Sequence, residues 1–327
     1  MASTQQLVAV DIGGTHARFA LAEVAGGKVV ALGEAVTLQT ADHASFQTAW
    51  EDFGRITGKP LPRATAIAIA GPTKGDVIRF TNNPWIIRPA LIGEKLNVDD
   101  HLLINDFEAV GHAVAAADAS AFDHLCGPES DLPATGTISV IGPGTGLGVA
   151  HVWRDGAAYR VQATEGGHID FAPLDSIEDA ILARLRKRHR RVSVERIVSG
   201  PGIVDIYEAL AGIEARAIAP LDDRTIWQLA MSGEDSLAAA AADRFCLSLG
   251  SVAGDIALAQ GASGVVIAGG LGQRIRDTLV RSGFPERFRA KGRFDAYMAA
   301  MPVKLIKLDQ PGLFGAAAAF AQRKANA

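Results

Sequence analysis

The chain has 327 residues, 48% of them hydrophobic and 21% charged, which excludes a disordered protein and predicts two domains or one large one. Its 32 Lys and Arg residues are outnumbered by 36 Asp and Glu, and only 6% of residues are aromatic, so the sequence argues against nucleic-acid binding. Cys126 and Cys246 lie too far apart for a CxxC zinc motif or a disulfide scaffold. The sequence opens without a basic secretory segment, and no apolar run reaches membrane-spanning length, so we expect a cytoplasmic protein with no membrane partner.

Apolar runs typical of strands alternate with helical patterns along the chain, which predicts an α/β fold. The predicted strands are, in chain order, 7–10, 15–21, 64–70, 101–104, 137–141, 148–152, 264–268 and 303–308. The predicted helices are 45–56, 107–117, 234–260 and 315–323, with a further helix that starts at Ser176 and places Asp179 in a capping-box position. In the first helix, Phe46, Trp50 and Phe53 follow helical spacing and are expected in the core.

A strand, a glycine turn and a second strand occur at 10–20 and again at 140–150. Two similar halves would each present a glycine turn to a shared cleft. The alternative is chance similarity between two glycine hairpins, and the repeat alone does not distinguish them. No Pro/Ser-rich linker marks a boundary, so we expect domains that share sheet edges or exchange a terminal helix.

Glycines follow three of the predicted strands, at 13–14, 142–148 and 269–270. A glycine lets backbone N–H groups approach an anion without a Cβ in the way. In the first turn Thr15 adds a hydroxyl donor, and Asp11 stands where it could hold a magnesium-bound water. The alternative is a tight hairpin with an Asp-stabilised turn. Neither of the first two glycine turns matches a Walker A or G-x-G-x-x-G motif. A flat ring of a ligand could lie against the backbone of the third glycine turn, at 269–270.

These motifs, in their order, resemble the sugar kinases of the actin-like ATPase superfamily. The residues that carry the resemblance are Asp-Ile-Gly-Gly-Thr-His-Ala-Arg (11–18), Gly-Thr-Gly-Leu-Gly (144–148) and Ile-Ala-Gly-Gly (267–270). Four further motifs narrow it to bacterial ATP-dependent glucokinases over essentially the whole chain: Leu-Ile-Asn-Asp-Phe (103–107), Glu-Gly-Gly-His-Ile-Asp-Phe-Ala-Pro (165–173), Val-Glu-Arg-Ile-Val-Ser-Gly-Pro-Gly (194–202) and Pro-Gly-Leu-Phe-Gly (311–315). One departure is His16, where asparagine often follows Gly-Gly-Thr. The chain also lacks the cysteine-rich zinc motif of the repressor/open-reading-frame/kinase branch.

The resemblance implies a two-domain actin-like ATPase (ribonuclease H-like) fold with a cleft between the domains. A small α/β domain would comprise 1–110 and 308–327, and a large one 111–307. The implied substrates are D-glucose and ATP with Mg²⁺, the implied reaction is transfer of the γ-phosphate to the sugar's 6-hydroxyl, and the implied assembly is a homodimer. The groups that would hold the nucleotide are Asp11 (also Mg²⁺, through water), Gly13, Gly14, Thr15, Gly144, Thr145, Gly146, Gly269 and Gly270.

Asp106 stands at the carboxyl end of a predicted strand, where α/β proteins place their ligands. Its spacing alone favours a different role for Asp106, as the N-cap of helix 107–117. The resemblance instead implies that Asp106 is the catalytic base. It also makes the neighbouring Asn105 a sugar ligand.

Two glycines between Glu165 and His168 let both side chains converge on one point, where a carboxylate and an imidazole can recognise two sugar hydroxyls. A lone histidine is more often structural, but this setting favours binding. Glu195 is either an ordinary first-turn helix acid or, by the resemblance, a further glucose ligand. Asn82 or Asn83 is expected to add a sugar-facing amide.

Two rival functions share these motifs. One is a kinase for another hexose or an N-acetylhexosamine, and the other is a non-catalytic, sugar-responsive binding protein, against which an intact Asp106 argues.

The basic run 184–191 predicts a solvated helix end whose cations complement the helix dipole, in preference to a nucleic-acid patch.

Overall fold

The predicted alternation of strands and helices is present in the computed structural model, which describes residues 4–80 and 83–325. The α/β class is therefore confirmed. The described residues fall into two units: the first is drawn from 1–117, 161–163 and 308–327, and the second from 118–160 and 164–307.

The first unit is built on one sheet of apolar strands, in the order β3-β2-β1-β5-β8, with β4 also paired to β2. Strands β1 and β2 are antiparallel, whereas β1, β5 and β8 run parallel. The strands are β1 (Gln5–Ile12), β2 (His16–Ala25), β3 (Lys28–Leu32), β4 (Val36–Gln39), β5 (Ala64–Ile69), β6 (Ile78–Arg79), β7 (Ile86–Ile87) and β8 (Asp100–Asn105). The helices in this stretch are α1 (Phe46–Thr57), α2 (Ile92–Leu96) and α3 (Asp106–Ala116).

Helix α1 shows how local sequence sets an element. The Ser45 side chain accepts from the Thr48 N–H while the Thr48 hydroxyl pairs with the Ser45 N–H, which forms a capping box. The helix ends at Gly58, whose φ of 62° favours glycine. Its aromatic side chains are buried as predicted: Phe46, Trp50 and Phe53.

The second unit is built on a sheet in the order β12-β11-β10-β13-β14-β9. Its strands are β9 (Phe122–Cys126), β10 (Thr135–Pro143), β11 (Leu147–Asp155), β12 (Ala158–Thr164), β13 (Ala262–Ile267) and β14 (Val303–Ile306). Its helices are α4 (Ser176–Arg186), α5 (Gly202–Ile213), α6 (Asp223–Ser232), α7 (Ser236–Gln260), α8 (Gly269–Arg274), α9 (Arg276–Arg281), α10 (Phe284–Arg289) and α11 (Asp295–Ala299). The long helix α7 is mostly buried, as its apolar pattern indicates.

The closing helix α12 (Pro311–Ala325) belongs to the first unit, where it packs on α3. A methyl group added at Gly315 would lie 1.7 Å from the carbonyl oxygen of Ala109. The two helices therefore approach each other closely enough to require glycine at this position.

The two sheets repeat one topology. In each, an antiparallel hairpin (β1–β2 or β10–β11) is followed by two strands parallel to its first strand, β5 and β8 or β13 and β14. Chance similarity between two hairpins does not explain a match of four strands in order. The repeat predicted from the glycine turns therefore reflects two similarly built units.

Helix α4 starts at Ser176 as predicted, but at α4 and α3 the N-cap is the residue before the one that the sequence pattern suggested. Helix α4 is capped by Asp175, whose carboxylate accepts from the N–H groups of Ile177 and Glu178, rather than by Ser176 with Asp179. Asn105, not Asp106, is the N-cap of α3. In both cases two neighbouring side chains can cap, and the extended backbone of the residue before the helix decides which one does.

The basic run lies at the end of α4, as predicted, but it is more than a solvated face. Three of its arginines form ion pairs with acids of the same unit: Arg184 with Glu208, Arg188 with Asp205, and Arg191 with Asp170.

In the part of the chain that the structure describes, no helix combines the length and apolarity that crossing a bilayer requires.

Candidate active site

The first glycine loop connects β1 to β2 in the first unit. The Gly13 N–H donates to the His16 carbonyl (2.9 Å) and closes the turn. The Thr40 hydroxyl donates to the Gly14 carbonyl (3.0 Å), and the Thr40 N–H donates to the Thr15 carbonyl (2.9 Å). Thr40 directly follows β4, and no sequence motif marks it.

Asn83 also holds this loop. Its amide nitrogen donates to the Gly13 carbonyl (3.2 Å), and its amide oxygen accepts from the Trp85 N–H (2.9 Å). Asn83 is only 6% exposed, so the described geometry turns its amide to the loop and not to solvent. Asn82, the alternative sugar-facing asparagine, lies outside the described residues.

Asp11 is the penultimate residue of β1, beside this loop. Burial raises the pKa of the Asp11 carboxyl, and the Arg18 guanidinium, 3.4 Å away, opposes that rise. A methyl group at Gly312, in the first turn of α12, would lie 2.7 Å from Asp11 Oδ2. The start of α12 therefore encloses the carboxylate.

The arrangement around Asp11 fits Mg²⁺ only together with a phosphate ligand. No cluster of three or more His, Cys, Asp or Glu side chains that could hold a metal occurs within residues 4–80 and 83–325. Mg²⁺ commonly takes one or two carboxylates and completes its shell with water and substrate phosphates. One carboxylate beside a glycine loop meets that requirement if the loop binds a phosphate.

Asn105 and Asp106 lie where β8 ends and α3 begins. The Asn105 amide oxygen accepts from the N–H groups of Phe107 (2.8 Å) and Glu108 (3.1 Å), while its nitrogen donates to the Gly71 carbonyl (3.2 Å). Asp106 Oδ1 also accepts from the Phe107 N–H (2.9 Å). Both side chains therefore lie at the N-terminal end of α3, where a helix favours negative charge.

The second glycine loop connects β10 to β11 in the second unit. The Gly144 N–H donates to the Gly146 carbonyl (2.8 Å), which leaves Thr145 exposed at the tip. The Gly200 N–H donates to the Gly144 carbonyl (2.7 Å). The loop is therefore fixed by a backbone contact from the segment before α5.

Glu195 holds the other side of the same loop. Its Oε2 accepts from the Leu147 N–H at 2.9 Å, and a methyl group at Gly146 would lie 2.5 Å from that oxygen. Glu195 belongs to a single 3-10 turn, Val194–Arg196, so it is not an ordinary acid in the first turn of an α-helix. The structure thus brings Glu195 and the second glycine loop together.

Glu165 and His168 bracket another 3-10 turn that packs on β11. Glu165 Oε2 and His168 Nε2 are 3.8 Å apart, and both side chains are exposed. A methyl group at Gly167 would lie 2.3 Å from the Leu147 carbonyl oxygen. The glycine therefore permits the close approach that sets this pair beside the second glycine loop.

The third glycine pair lies against the end of β10. Gly269 has a φ of 87°, and a methyl group there would lie 3.0 Å from the Pro143 carbonyl oxygen. The preceding Ala268 N–H donates to the Ile141 carbonyl (2.8 Å). Next along the chain, Gly270 faces open space. The second and third glycine turns are therefore neighbours in the second unit.

Comparison with known proteins identifies the family of the chain. The sequence model of the Glucokinase family matches residues 7–323. A glucokinase of Zymomonas mobilis is 62% identical over 97% of this chain and 98% of its own length. The crystal structure of glucokinase from an Antarctic psychrotroph superposes with a TM-score of 0.83 at 34% identity, covering 96% of this chain and 98% of the other.

The fold extends to more distant sugar kinases. A ROK family glucokinase from Streptomyces griseus, solved in complex with glucose and AMPPNP, matches with a TM-score of 0.63 at 19% identity over 97% of this chain and 99% of its own. The likeness at that identity supports the fold, which is the actin-like ATPase fold that the motifs predicted. On the strength of its motifs, its two similarly built units and these matches, the chain belongs to the glucokinase family.

Proposed function

We propose that this chain is an ATP-dependent glucokinase that transfers the γ-phosphate of ATP to the 6-hydroxyl of D-glucose, giving glucose 6-phosphate and ADP. The observation that carries the mechanism is the position of Asp106, directly after a parallel strand and at the N-terminal turn of α3. Membership of the glucokinase family, and the glucose and AMPPNP bound by the Streptomyces griseus relative, support the choice of substrates.

Asp106 is the proposed base. Phosphoryl transfer needs a proton acceptor beside the attacking hydroxyl, and a carboxylate serves only while it is ionised. The Phe107 N–H donates to Asp106 Oδ1, and the dipole of α3 stabilises negative charge at its first turn. On this position we assign Asp106 as the acceptor of the 6-hydroxyl proton.

Asn105, Glu165, His168 and Glu195 are the proposed sugar ligands. An amide, two carboxylates and an imidazole together supply donors and acceptors for several hydroxyl groups. A site that pairs each hydroxyl leaves buried polar groups unsatisfied when an epimer binds, so it discriminates more strongly than an apolar wall. We assign Asn83 to the first glycine loop, because its amide is turned to that loop.

The glycine turns are the proposed phosphate and nucleotide sites. Backbone N–H groups of Gly14 and Thr15 in the first unit, and of Thr145 and Gly146 in the second, would bind phosphate oxygens. Gly13 and Gly144 would shape these loops, because their own N–H groups donate to the His16 and Gly146 carbonyls. Gly269 and Gly270 leave room for the nucleoside. Asp11 is the proposed ligand of Mg²⁺ through water, and the bound ion would neutralise charge on the phosphates.

Further expectations belong to the same proposal. We propose a glycolytic, cytoplasmic homodimer without a nucleic-acid or membrane partner, supported by the net charge of −4 and by family membership. We also propose a small domain of 1–110 with 308–327, a large domain of 111–307, and a cleft between them. The units described above differ from those boundaries in assigning 111–117 and 161–163 to the first unit.

Replacement of Asp106 by alanine tests the mechanism. ADP release from Mg-ATP and glucose should fall by at least about 10³-fold, within the range that a positioned acid or base contributes, while glucose binding survives. The matched control is Asp118→Ala, which removes an exposed acid just beyond α3 that has no side-chain capping bond. Normal turnover in D106A would overturn the assignment of the base.

A further inference from the structure

We propose that Thr40 and Asn83 are positioning residues that aim the backbone amides of the first glycine loop at the phosphates of ATP. This inference rests on the proposed function of that loop. Neither residue belongs to a motif of the glycine loop, and the two lie 43 positions apart in the sequence.

The loop carbonyls determine where the loop amides point. Asn83 donates to the Gly13 carbonyl at 3.2 Å, and the Thr40 hydroxyl donates to the Gly14 carbonyl at 3.0 Å. In a planar trans peptide, the C=O of one residue and the N–H of the next point in opposite directions. The N–H groups of Gly14 and Thr15 therefore point away from the two buried side chains. Successive amides aimed to one side form a concave anion site.

Both side chains are too deeply buried to touch a nucleotide themselves. Thr40 is 2% exposed and Asn83 is 6% exposed. Their polar atoms are already engaged with the protein backbone, because the Asn83 amide oxygen accepts from the Trp85 N–H. Any effect of these residues on ATP must therefore act through the loop.

The two anchors are themselves fixed. Strand β4 pairs with β2 so that Gln39 lies opposite His16, which places Thr40 beside the loop. The Trp85 indole N–H donates to the His43 carbonyl at 2.9 Å, which ties the segment that carries Asn83 to the segment that follows Thr40. The loop is therefore held by two linked segments, and losing one hydrogen bond should loosen it.

The test compares two buried threonines of the first unit. Thr40→Val removes the hydroxyl that holds Gly14 and keeps nearly the same shape. Thr65→Val is the matched control, because the Thr65 hydroxyl is also fully buried and donates to a backbone carbonyl, that of Val8 in β1, at 2.9 Å. Each variant thus loses one buried bond of the same kind, but only one of these bonds reaches the loop.

We expect T40V to bind ATP about tenfold more weakly by calorimetry, with a matching rise in the KM for ATP, whereas its Kd for glucose measured without nucleotide stays unchanged. T65V should bind both ligands as the parent protein does, although its melting temperature falls similarly. Asn83→Ala should reproduce the effect of T40V. Equal ATP affinities in T40V and T65V would overturn the inference.

A fourth variant separates failure of the inference from failure of the proposed site. Gly14→Val places a side chain on the loop itself. Weakened ATP binding in G14V combined with normal binding in T40V would retain the phosphate site and reject the role of Thr40. Normal ATP binding in G14V would remove the loop from the proposed nucleotide site, and the inference would fall with it.

Discussion

Gly167→Ala should impair glucose binding and turnover, although it replaces none of the proposed sugar-binding residues. The added methyl group would lie 2.3 Å from the Leu147 carbonyl oxygen and 3.2 Å from the Leu147 carbonyl carbon. A carbon and a carbonyl oxygen come no closer than about 3.3 Å in ordinary contacts, so the 3-10 turn must move away from β11 by about 1 Å. Backbone atoms on both sides leave no flexible side chain to absorb the displacement.

The displacement falls on the turn that carries Glu165 and His168. A misplacement of about 1 Å can lower a rate about 10²-fold, which corresponds to about 2.7 kcal/mol of transition-state stabilisation. We therefore expect kcat/KM for glucose to fall about a hundredfold in G167A. Overpacking should also lower the free energy of unfolding by about 1–3 kcal/mol.

The assay is ADP release at saturating Mg-ATP with varied glucose, together with thermal denaturation of each variant. The matched control is Gly212→Ala in α5, where a methyl group meets no atom within 4 Å. G212A should keep its kinetic constants and gain a little stability, because alanine favours the helix.

A folded G167A enzyme whose kcat/KM for glucose stays within about threefold of the parent would refute this reasoning. It would show either that the turn tolerates the methyl group or that Glu165 and His168 do not bind the sugar. We expect a normal KM for ATP in the same variant. That result would show that the substitution affects the glucose site and not the ATP site.

Three further predictions follow from buried ionisable groups. Asp11→Asn should lose most activity yet unfold at a higher temperature near pH 7, because burial raises the pKa of Asp11, and an ionised carboxyl there costs stability that disappears as pH falls toward 3.8. Burial raises the pKa of Cys126 and of Cys246 to about 12, so both thiols should resist iodoacetamide at pH 8 in the native protein and react after denaturation, as mass spectrometry would show. Burial opposes the charge of Asp175, but the capped helix amide and the Arg244 guanidinium outweigh it and lower the pKa. Asp175→Ala should therefore cost about 2 kcal/mol by urea denaturation near pH 7 and progressively less below pH 3.8.

Each of these three has an outcome that contradicts it. A D11N protein less stable than the parent at pH 7 would mean that the ion pair with Arg18 outweighs burial. Rapid alkylation of native protein would show that the cysteines are exposed in solution. A D175A deficit that persists undiminished at acid pH would indicate lost packing rather than lost charge.

Sequence alone located the elements whose pattern is local. Fully buried parallel strands such as β5 are continuous apolar runs, and α1 carries its own capping residues. Strands β4 and β12 were missed because they are only partly buried and lack such runs. Strand β3 was missed although 29–32 is an apolar run. Helices α8 to α11 have five or six residues each, too few for a helical period to emerge.

The glycine motifs located the loops but not the groups that hold them. Thr40 reaches the first loop only because β4 pairs with β2, and the pairing of distant strands leaves no short motif. The choice between Asn105 and Asp106 as the cap of α3 depends on backbone angles: Asn105 is extended, with φ −69° and ψ 148°. Both residues are good caps, so composition could not decide between them.

The most direct test of the proposed function is ADP release from Mg-ATP with a panel of sugars: glucose, mannose, fructose, galactose, N-acetylglucosamine and no sugar. The proposal predicts turnover confined largely to glucose, with the phosphate on its 6-hydroxyl, and little ATP hydrolysis without sugar. A clear preference for another hexose or for N-acetylglucosamine would contradict the substrate assignment. Measurable glucose binding without ADP release from any sugar would contradict catalysis itself and indicate a sugar-responsive binding protein.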